Sequence, residues 1–315
     1  MTSLKEVALF LKNHDNYRIL CHHNPDGDTI GSAFALATAL RKIGKKAHIC
    51  CSDDFSEQYN YMINGEEVNK DIPYETVVTV DIADKQLIGG KYNELGDNVD
   101  LLIDHHYSNT RYAKNCYVDS TAAANCEIIY DLICELGVEI DKHMADCIYT
   151  GLSTDTGCFR YSNVTERTHL VACETIKAGA DHAGINKVMF ETKSLRRIKI
   201  ERMVLNSLQL YYDDKLATLF LTQDMMKKTG AREDELEGVA AIPREIEGVL
   251  IGILFREKPD GSIRVSLRTN EPVDASAICA AFGGGGHKRA AGCTFNTSIE
   301  EAREKIVEEV GKILQ

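Results

Sequence analysis

In the first third of the chain, three short apolar runs each end in a cluster of acids or imidazoles. Tyr17-Arg18-Ile19-Leu20-Cys21 leads into His22-His23-Asn24-Pro25-Asp26-Gly27-Asp28. Thr76-Val77-Val78-Thr79-Val80 leads into Asp81-Ile82-Ala83-Asp84, and Val99-Asp100-Leu101-Leu102-Ile103 into Asp104-His105-His106. Short Val, Leu and Ile runs bounded by polar residues read as buried strands of a parallel sheet. Apolar Ile30, Ala33, Phe34, Ala37 and Leu40 predict a helix over 30–43, capped by Asp28 or Thr29 and ended by Gly44. A strand over 46–51 completes a β-α-β unit, and 3–13 reads as an amphipathic helix through Leu4, Val7, Ala8 and Leu11. The carboxyl ends of parallel strands share one edge, where open α/β sheets bind ligands. His22, Asp26, Asp28, Asp81, His105 and His106 are expected to converge there.

Further along, Ser120-Thr121 predicts the start of a helix running to Leu136 and closed by Gly137. A second helix runs from Asp141 towards Thr150, and Gly151-Leu152-Ser153-Thr154-Asp155-Thr156-Gly157 reads as a turn exposing Asp155. Helices are expected over 165–179 and 181–191. The charged segment 194–206 reads as a connecting helix whose basic residues between Lys193 and Arg202 form a solvated face. Past residue 207 the pattern turns to strands, over 208–212, 216–221, 249–255 and 262–267, with Lys258-Pro259-Asp260-Gly261 as a hairpin turn. A short helix over 274–282 precedes the loop Gly283-Gly284-Gly285-Gly286-His287, and a helix over 298–314 follows. The fold class is α/β: a Rossmann-like parallel-sheet domain over 1–190, a linker helix over 191–207 and a smaller mixed α+β domain over 208–315. The active site is expected in the cleft between them.

Composition narrows the function classes. Hydrophobic content of 44% and charged content of 27% are those of a globular protein. The start Met1-Thr2-Ser3-Leu4-Lys5-Glu6 has neither the basic nor the apolar segment of a signal peptide, and no apolar stretch reaches membrane-spanning length, so a cytoplasmic protein is expected. Eleven cysteines, an odd number without a Cys-x-x-Cys pair, point to reduced thiols. Cys21 and Cys158 lie beside the candidate motifs and read as core packing. A net charge of −12 disfavours coating of long nucleic acid, while a short phosphate ester held locally is compatible with it.

Asp26, Asp28, Asp81 and Asp155 together with His22 and His105 would repel one another unless cations sat among them. Two divalent ions balance the four carboxylates, and an all oxygen and nitrogen donor set suits Mn²⁺ or Mg²⁺ better than a structural zinc. Two ions about 3.5–4 Å apart, bridged by a carboxylate, activate a water for phosphoryl transfer. Hydrolysis of a phosphate ester is the reaction this implies.

His22 to Asp28, Asp81 in Asp-Ile-Ala-Asp, Asp104-His105-His106 and Asp155 in Ser-Thr-Asp-Thr-Gly resemble, in order, the four motifs of the DHH phosphoesterase superfamily. Gly283 to His287 with Ala290-Ala291-Gly292 resembles the glycine-rich motif of its DHH-associated C-terminal domain. The absence of membrane, PAS or GGDEF segments makes the chain most similar to the NrnA-type oligoribonucleases, or nanoRNases, which cleave very short RNA and often dephosphorylate 3′-phosphoadenosine 5′-phosphate.

The resemblance implies two Mn²⁺ ions per chain, with Mg²⁺ or another divalent metal as the alternative. One would be held by His22, Asp26 and Asp81, the other by Asp28, Asp81, His105 and Asp155, with Asp81 bridging. The family's His-x-Asn-Pro-Asp spacing selects His22 over His23. His106 would face the scissile phosphoryl group, and Asp104 and Asn24 would support the ligands from behind. Gly285, Gly286, His287 and Arg268 would grip a terminal phosphate, with Arg264, Lys288 and Arg289 as further candidates. The partners implied are short single-stranded oligoribonucleotides or nucleoside bisphosphates, without a membrane; a homodimer is compatible with the reading. Two alternatives remain: a cyclic-di-AMP or pApA phosphodiesterase, and a non-catalytic nucleotide sensor. Family II pyrophosphatases resemble the first half alone. Asp84 reads as a helix cap, not a ligand.

Overall fold

The apolar runs form β1 (Tyr17–Leu20), β2 (Ala47–Cys50), β3 (Thr76–Val80) and β4 (Leu101–Asp104), joined at one edge by β5 (Asn115–Val118). Every pairing is parallel and the order is β2-β1-β3-β4-β5. In this doubly wound order the chain reverses direction across the sheet between β1 and β3, the place where such sheets bind ligands. The computed structural model describes residues 1–236 and 238–314, and the chain divides into two units, Met1–Thr192 and Lys193–Gln315.

The first unit carries α1 (Leu4–Asn13), α2 (Gly27–Lys42), α3 (Asn60–Ile63), α4 (Asn125–Leu136), α5 (Lys142–Asp155), α6 (Glu166–Lys177) and α7 (His182–Asn186). Alternation along the strands divides its core. Tyr17, Ile19, Val78, Val80, Leu101 and Ile103 pack with Phe34, Leu40, Ile129 and Leu152 of the helices. Leu20, Cys50 and Val77 face the other way, onto Ile88, Tyr92 and Val99.

Four expected boundaries in this unit move. The second helix starts at Gly27, because the Asp26 carboxylate accepts the Asp28 and Thr29 N–H groups at 3.0 and 3.1 Å and caps it earlier than Asp28 or Thr29 would. The helix expected from 120 starts at Asn125: Asp119 takes the Thr121 N–H and hydroxyl, tying Ser120-Thr121 into a turn. The expected turn over 151–157 is largely helix, and α5 continues to Asp155. The hydroxyls of Thr150, Ser153, Thr154 and Thr156 donate back to carbonyls one turn earlier and so find their partners within the helix. Gly151 makes the close packing of α5 possible, since a Cβ there would lie 2.2 Å from Cys126 Sγ and 2.6 Å from Asp28 Oδ1. The 181–191 segment is shorter than expected as α-helix, α7 giving way to a π turn over Lys187–Glu191.

The second unit contains α8 (Leu195–Leu205), β6 (Gln209–Tyr211), β7 (Leu216–Leu221), α9 (Gln223–Thr229), β8 (Ile251–Glu257), β9 (Ile263–Thr269), α10 (Ala275–Ala280), β10 (Gly285–His287), β11 (Ala290–Phe295) and α11 (Ile299–Leu314). Its sheet runs β10-β11-β9-β8-β7-β6 and is antiparallel except for β7 and β8. Ile253, Phe255, Val265 and Leu267 pack against Ile278, Ile306 and Val310 on one face, while Leu219, Leu221 and Leu254 meet Ile200 and Val204 of α8 on the other. The segment read as a linker thus belongs to this unit's core. Three of its basic residues are paired, Lys193 and Arg197 with Glu201 and Arg196 with Glu235. Gly285-Gly286-His287, expected in a loop, is an edge strand: Gly286 lies so close to β11 that a Cβ would stand 2.6 Å from Ala290 O.

Candidate metal centre

The carboxyl ends of β1, β3 and β4 and the last turn of α5 bring His22, Asp26, Asp28, Asp81, His105 and Asp155 together. Asp81 follows β3 with φ 59°, a left-handed conformation that Asp tolerates better than most residues, and its N–H donates to Ile103 O at 3.0 Å. Its carboxylate, 3% exposed, has a histidine on each oxygen: His22 Nε2 stands 3.9 Å from Oδ2 and His105 Nε2 stands 3.4 Å from Oδ1. Three overlapping donor sets lie there, one of them Asp81 with Asp104, His105 and His106. His22, Asp26 and Asp81 form another, with His22 Nε2 at 3.6 Å from Asp26; Asp28, His105 and Asp155 form the third, with His105 Nε2 at 3.8 and 3.3 Å from the two carboxylates.

Backbone carbonyls set the imidazoles. His22 Nδ1 donates to His23 O at 2.8 Å and His105 Nδ1 to Ala122 O at 3.2 Å, which leaves both Nε2 atoms for the cluster. His23 turns elsewhere and donates to Leu87 O. Asp28 is wholly buried and also caps a helix. Its two oxygens accept the Asn125 and Cys126 N–H groups at 2.6 and 2.9 Å, at the start of α4, which has no side-chain cap of its own. Asp104 Oδ1 accepts from His106 Nδ1 at 2.8 Å and Asp104 Oδ2 from Asn109 Nδ2 at 2.5 Å. Asn24, with φ 51°, donates its backbone N–H to Asp53, and among the described residues its side chain has no hydrogen bond to a ligand candidate. Asp84 caps the 3-10 turn over Lys85–Ile88.

Without cations this crowd is unfavourable. Burial and the charges of Asp28, Asp26 and Asp155 push the Asp81 carboxyl well above its usual range, and burial raises that of Asp28. Partial burial and Asp28 push Asp155 up to about 8. Burial opposes protonation of His105, but Asp28 and Asp155 prevail and raise it. Asp81 Oδ1 and His105 Nε2 are buried without hydrogen-bond partners. Orphaned oxygen and nitrogen donors facing each other across an acidic cluster fit a hard divalent cation.

In the second unit, strand register places Arg264, Ser266 and Arg268 on one face, opposite Thr294, Gly292 and Ala290 of β11, with Gly285 and His287 in the next strand of the same rows. Of the seven candidate phosphate-binding residues, Gly285, His287, Arg264 and Arg268 therefore share a face; Gly286 alternates to the other, Lys288 lies in the turn between β10 and β11, and Arg289 pairs with Glu271. Arg268 is half-buried; burial and the nearby Arg244 charge lower its pKa, and neither arginine has an acidic partner among the described residues. Periodicity gave no sign of Asn109, which braces Asp104, or of the cap that Asp28 provides, because both depend on elements far apart in sequence.

The chain is similar to known proteins along nearly its whole length. The profile described as the DHH family, N-terminal domain, matches residues 16–152, and the DHHA1 domain matches 213–315. The Thermus thermophilus protein named bifunctional oligoribonuclease and PAP phosphatase NrnA is 33% identical over 93% of this chain and 88% of its own length. A Streptococcus mutans protein named as its probable counterpart is 27% identical over the full length of both. A crystal structure described as an exopolyphosphatase-related protein from Bacteroides fragilis shares the fold, with a TM-score of 0.90 at 24% identity over 99% of this chain and 96% of that one. With the DHH N-terminal domain matching its first unit, the DHHA1 domain its second, and a relative 33% identical over nearly the whole length, the chain belongs to the DHH family.

Proposed function

We propose that this chain hydrolyses phosphate esters of short nucleotides, cleaving oligoribonucleotides of a few residues to mononucleotides and removing a phosphate from 3′-phosphoadenosine 5′-phosphate. The observation that carries the reading is the Asp81 carboxylate flanked by His22 on one oxygen and His105 on the other, each imidazole belonging to a separate three-residue donor set. The relatives named for oligoribonuclease and PAP phosphatase activity support the substrate class.

His22, Asp26 and Asp81 would hold one divalent ion and Asp28, Asp81, His105 and Asp155 a second, Mn²⁺ or Mg²⁺. Bound there, such ions lower the pKa of a shared water and draw charge from the phosphoryl oxygens. The protein positions the remaining groups. With Nδ1 held by Asp104, His106 leaves Nε2 for the substrate, donating to a phosphoryl or departing oxygen when protonated. Arg268, beside Arg244 and without an acidic partner among the described residues, supplies charge-assisted hydrogen bonds to a phosphate, with His287 and Arg264 on the same face.

The test is a competition assay on Mn²⁺-loaded protein with 3′-phosphoadenosine 5′-phosphate, a 5′-phosphorylated RNA dinucleotide and trinucleotide, cyclic-di-AMP and pyrophosphate, products being separated by chromatography. The reading predicts that the short RNAs and the bisphosphate dominate. Efficient opening of cyclic-di-AMP, or cleavage of none of these, overturns it.

A further inference from the structure

Three tyrosines of the first unit are strongly exposed, and two of them have something to rest on. The Tyr74 ring, 40% exposed, lies 4.0 Å beneath the Arg18 guanidinium. Tyr161, 54% exposed, lies so close over Gly157 that a Cβ there would meet its ring carbons at 2.3 to 2.7 Å. Tyr107 differs. It is 94% exposed, and among the described residues its ring has no stacking partner and its hydroxyl no hydrogen bond. A large aromatic ring left wholly in water forgoes the burial that makes such side chains stabilising, and both of its faces are open to stack on a ligand.

Its place is specific. Tyr107 follows His106 directly, so its Cα lies about 3.8 Å from that of a residue facing the cluster. It stands on a turn that is fastened at several points. Asn109 N–H donates to His106 O at 3.1 Å, and the Asn109 amide donates to Asp104 Oδ2 at 2.5 Å and to Ile82 O at 3.2 Å. Thr110 N–H donates to Ala83 O at 2.9 Å, and Arg111 N–H to Asn109 Oδ1 at 2.6 Å. The turn is thereby tied to the segments that follow Asp81 and contain Asp104. The backbone that carries the ring is held in place before a ligand arrives, so its ordering adds little to the cost of binding.

We propose that Tyr107 is the stacking platform for a nucleobase of the substrate bound at this centre. The inference rests on the nucleotide reading above and deepens it: recognition of the base begins in the catalytic unit itself, by a contact that any base can make because every base has a π face. Tyr107 is a binding residue and takes no part in the proton or phosphoryl steps.

Two measurements test it. In the first, steady-state kinetics compare wild type, Tyr107→Phe and Tyr107→Ala on a 5′-phosphorylated RNA dinucleotide and on the same compound with abasic riboses. Tyr107→Ala should raise KM for the dinucleotide about tenfold with little change in kcat, Tyr107→Phe should behave as wild type, and the abasic compound should be indifferent to the substitution. In the second, the chain's lack of tryptophan is used: in Tyr107→Trp the sole indole reports on stacking. AMP should quench its fluorescence and ribose 5-phosphate should not. Unchanged KM in Tyr107→Ala, an equal shift on the abasic compound, or AMP without effect on the indole overturns the platform. Quenching by AMP in a protein that hydrolyses none of the nucleotides would keep the platform and refute the enzymatic reading.

Discussion

Asp81→Asn separates what this carboxylate costs the metal-free protein from what it contributes to turnover, because the amide keeps the shape, tolerates the left-handed backbone and loses the charge. Asp28, Asp81 and Asp155 reach the same His105 Nε2 at 3.8, 3.4 and 3.3 Å. Each carboxylate is therefore within about 7 Å of the next, where two unit charges repel by about 2 kcal/mol at an effective dielectric constant of about 20. The metal-free protein either bears that repulsion or keeps protons on Asp81 and Asp155, whose pKa values burial and neighbouring carboxylates raise. Folded-state values above those of the unfolded chain favour folding fully below about pH 4, and the contribution is lost as pH rises towards the folded values, about 8 for Asp155. Removing the Asp81 charge removes its share of that loss. Thermal melts in EDTA should therefore coincide for wild type and variant near pH 4 and separate above it. At pH 8 the variant should be more stable by on the order of 2 kcal/mol, a Tm gain of about 4–8 °C. Added Mn²⁺ should reverse the order, raising the Tm of wild type by mass action and leaving the variant nearly unmoved, while turnover falls about a thousandfold. A variant less stable than wild type in EDTA at pH 8, or one with near-normal turnover, would refute the reasoning.

The other ligand positions should respond differently. Asp28→Asn should be less stable than Asp81→Asn by about 1–3 kcal/mol in EDTA at pH 8, since both lose one charge of the cluster but an amide offers one acceptor where Asp28 serves the N–H groups of Asn125 and Cys126; equal melts for the two variants would show that this cap is dispensable. Gly151→Ala should cost about 1–3 kcal/mol in a denaturant titration, its Cβ colliding with Cys126 Sγ and the Asp28 carboxylate. Arg268→Ala and His287→Ala should raise KM about tenfold on short RNAs and leave kcat near wild type, as expected of groups that bind a phosphate and take no part in the proton or phosphoryl steps; a loss of kcat matching that of Asp81→Asn would contradict the assignment.

Strand ends were the legible part of this sequence. Cys21, Val80 and Ile103 close runs too apolar to be anything but buried, so the acids and imidazoles after them fall on one sheet edge whatever the details of packing. What the sequence hid was set by partners far along the chain. Asp155 looked like a turn residue because Gly, Ser and Thr surround it; in the fold these residues are helical, with α5 close against Cys126 and Asp28 and the hydroxyls bonded back to the helix. Ser120-Thr121 looked like a cap, but Asp119 takes Thr121 into a turn and Asp28, from another element, caps α4. β5 carries Asn115 and Cys116 on a half-buried edge and lacks the apolar run that marked its neighbours. The glycine run gave no local sign of pairing; its strand exists because the missing Cβ atoms let β10 lie against β11.

The central claim is that Asp81 joins two metal positions. The most direct test is anomalous diffraction from crystals soaked in Mn²⁺. Two manganese peaks about 3.5–4 Å apart, both in contact with the Asp81 carboxylate, are predicted; a single peak, or two peaks of which Asp81 touches fewer than both, would contradict it.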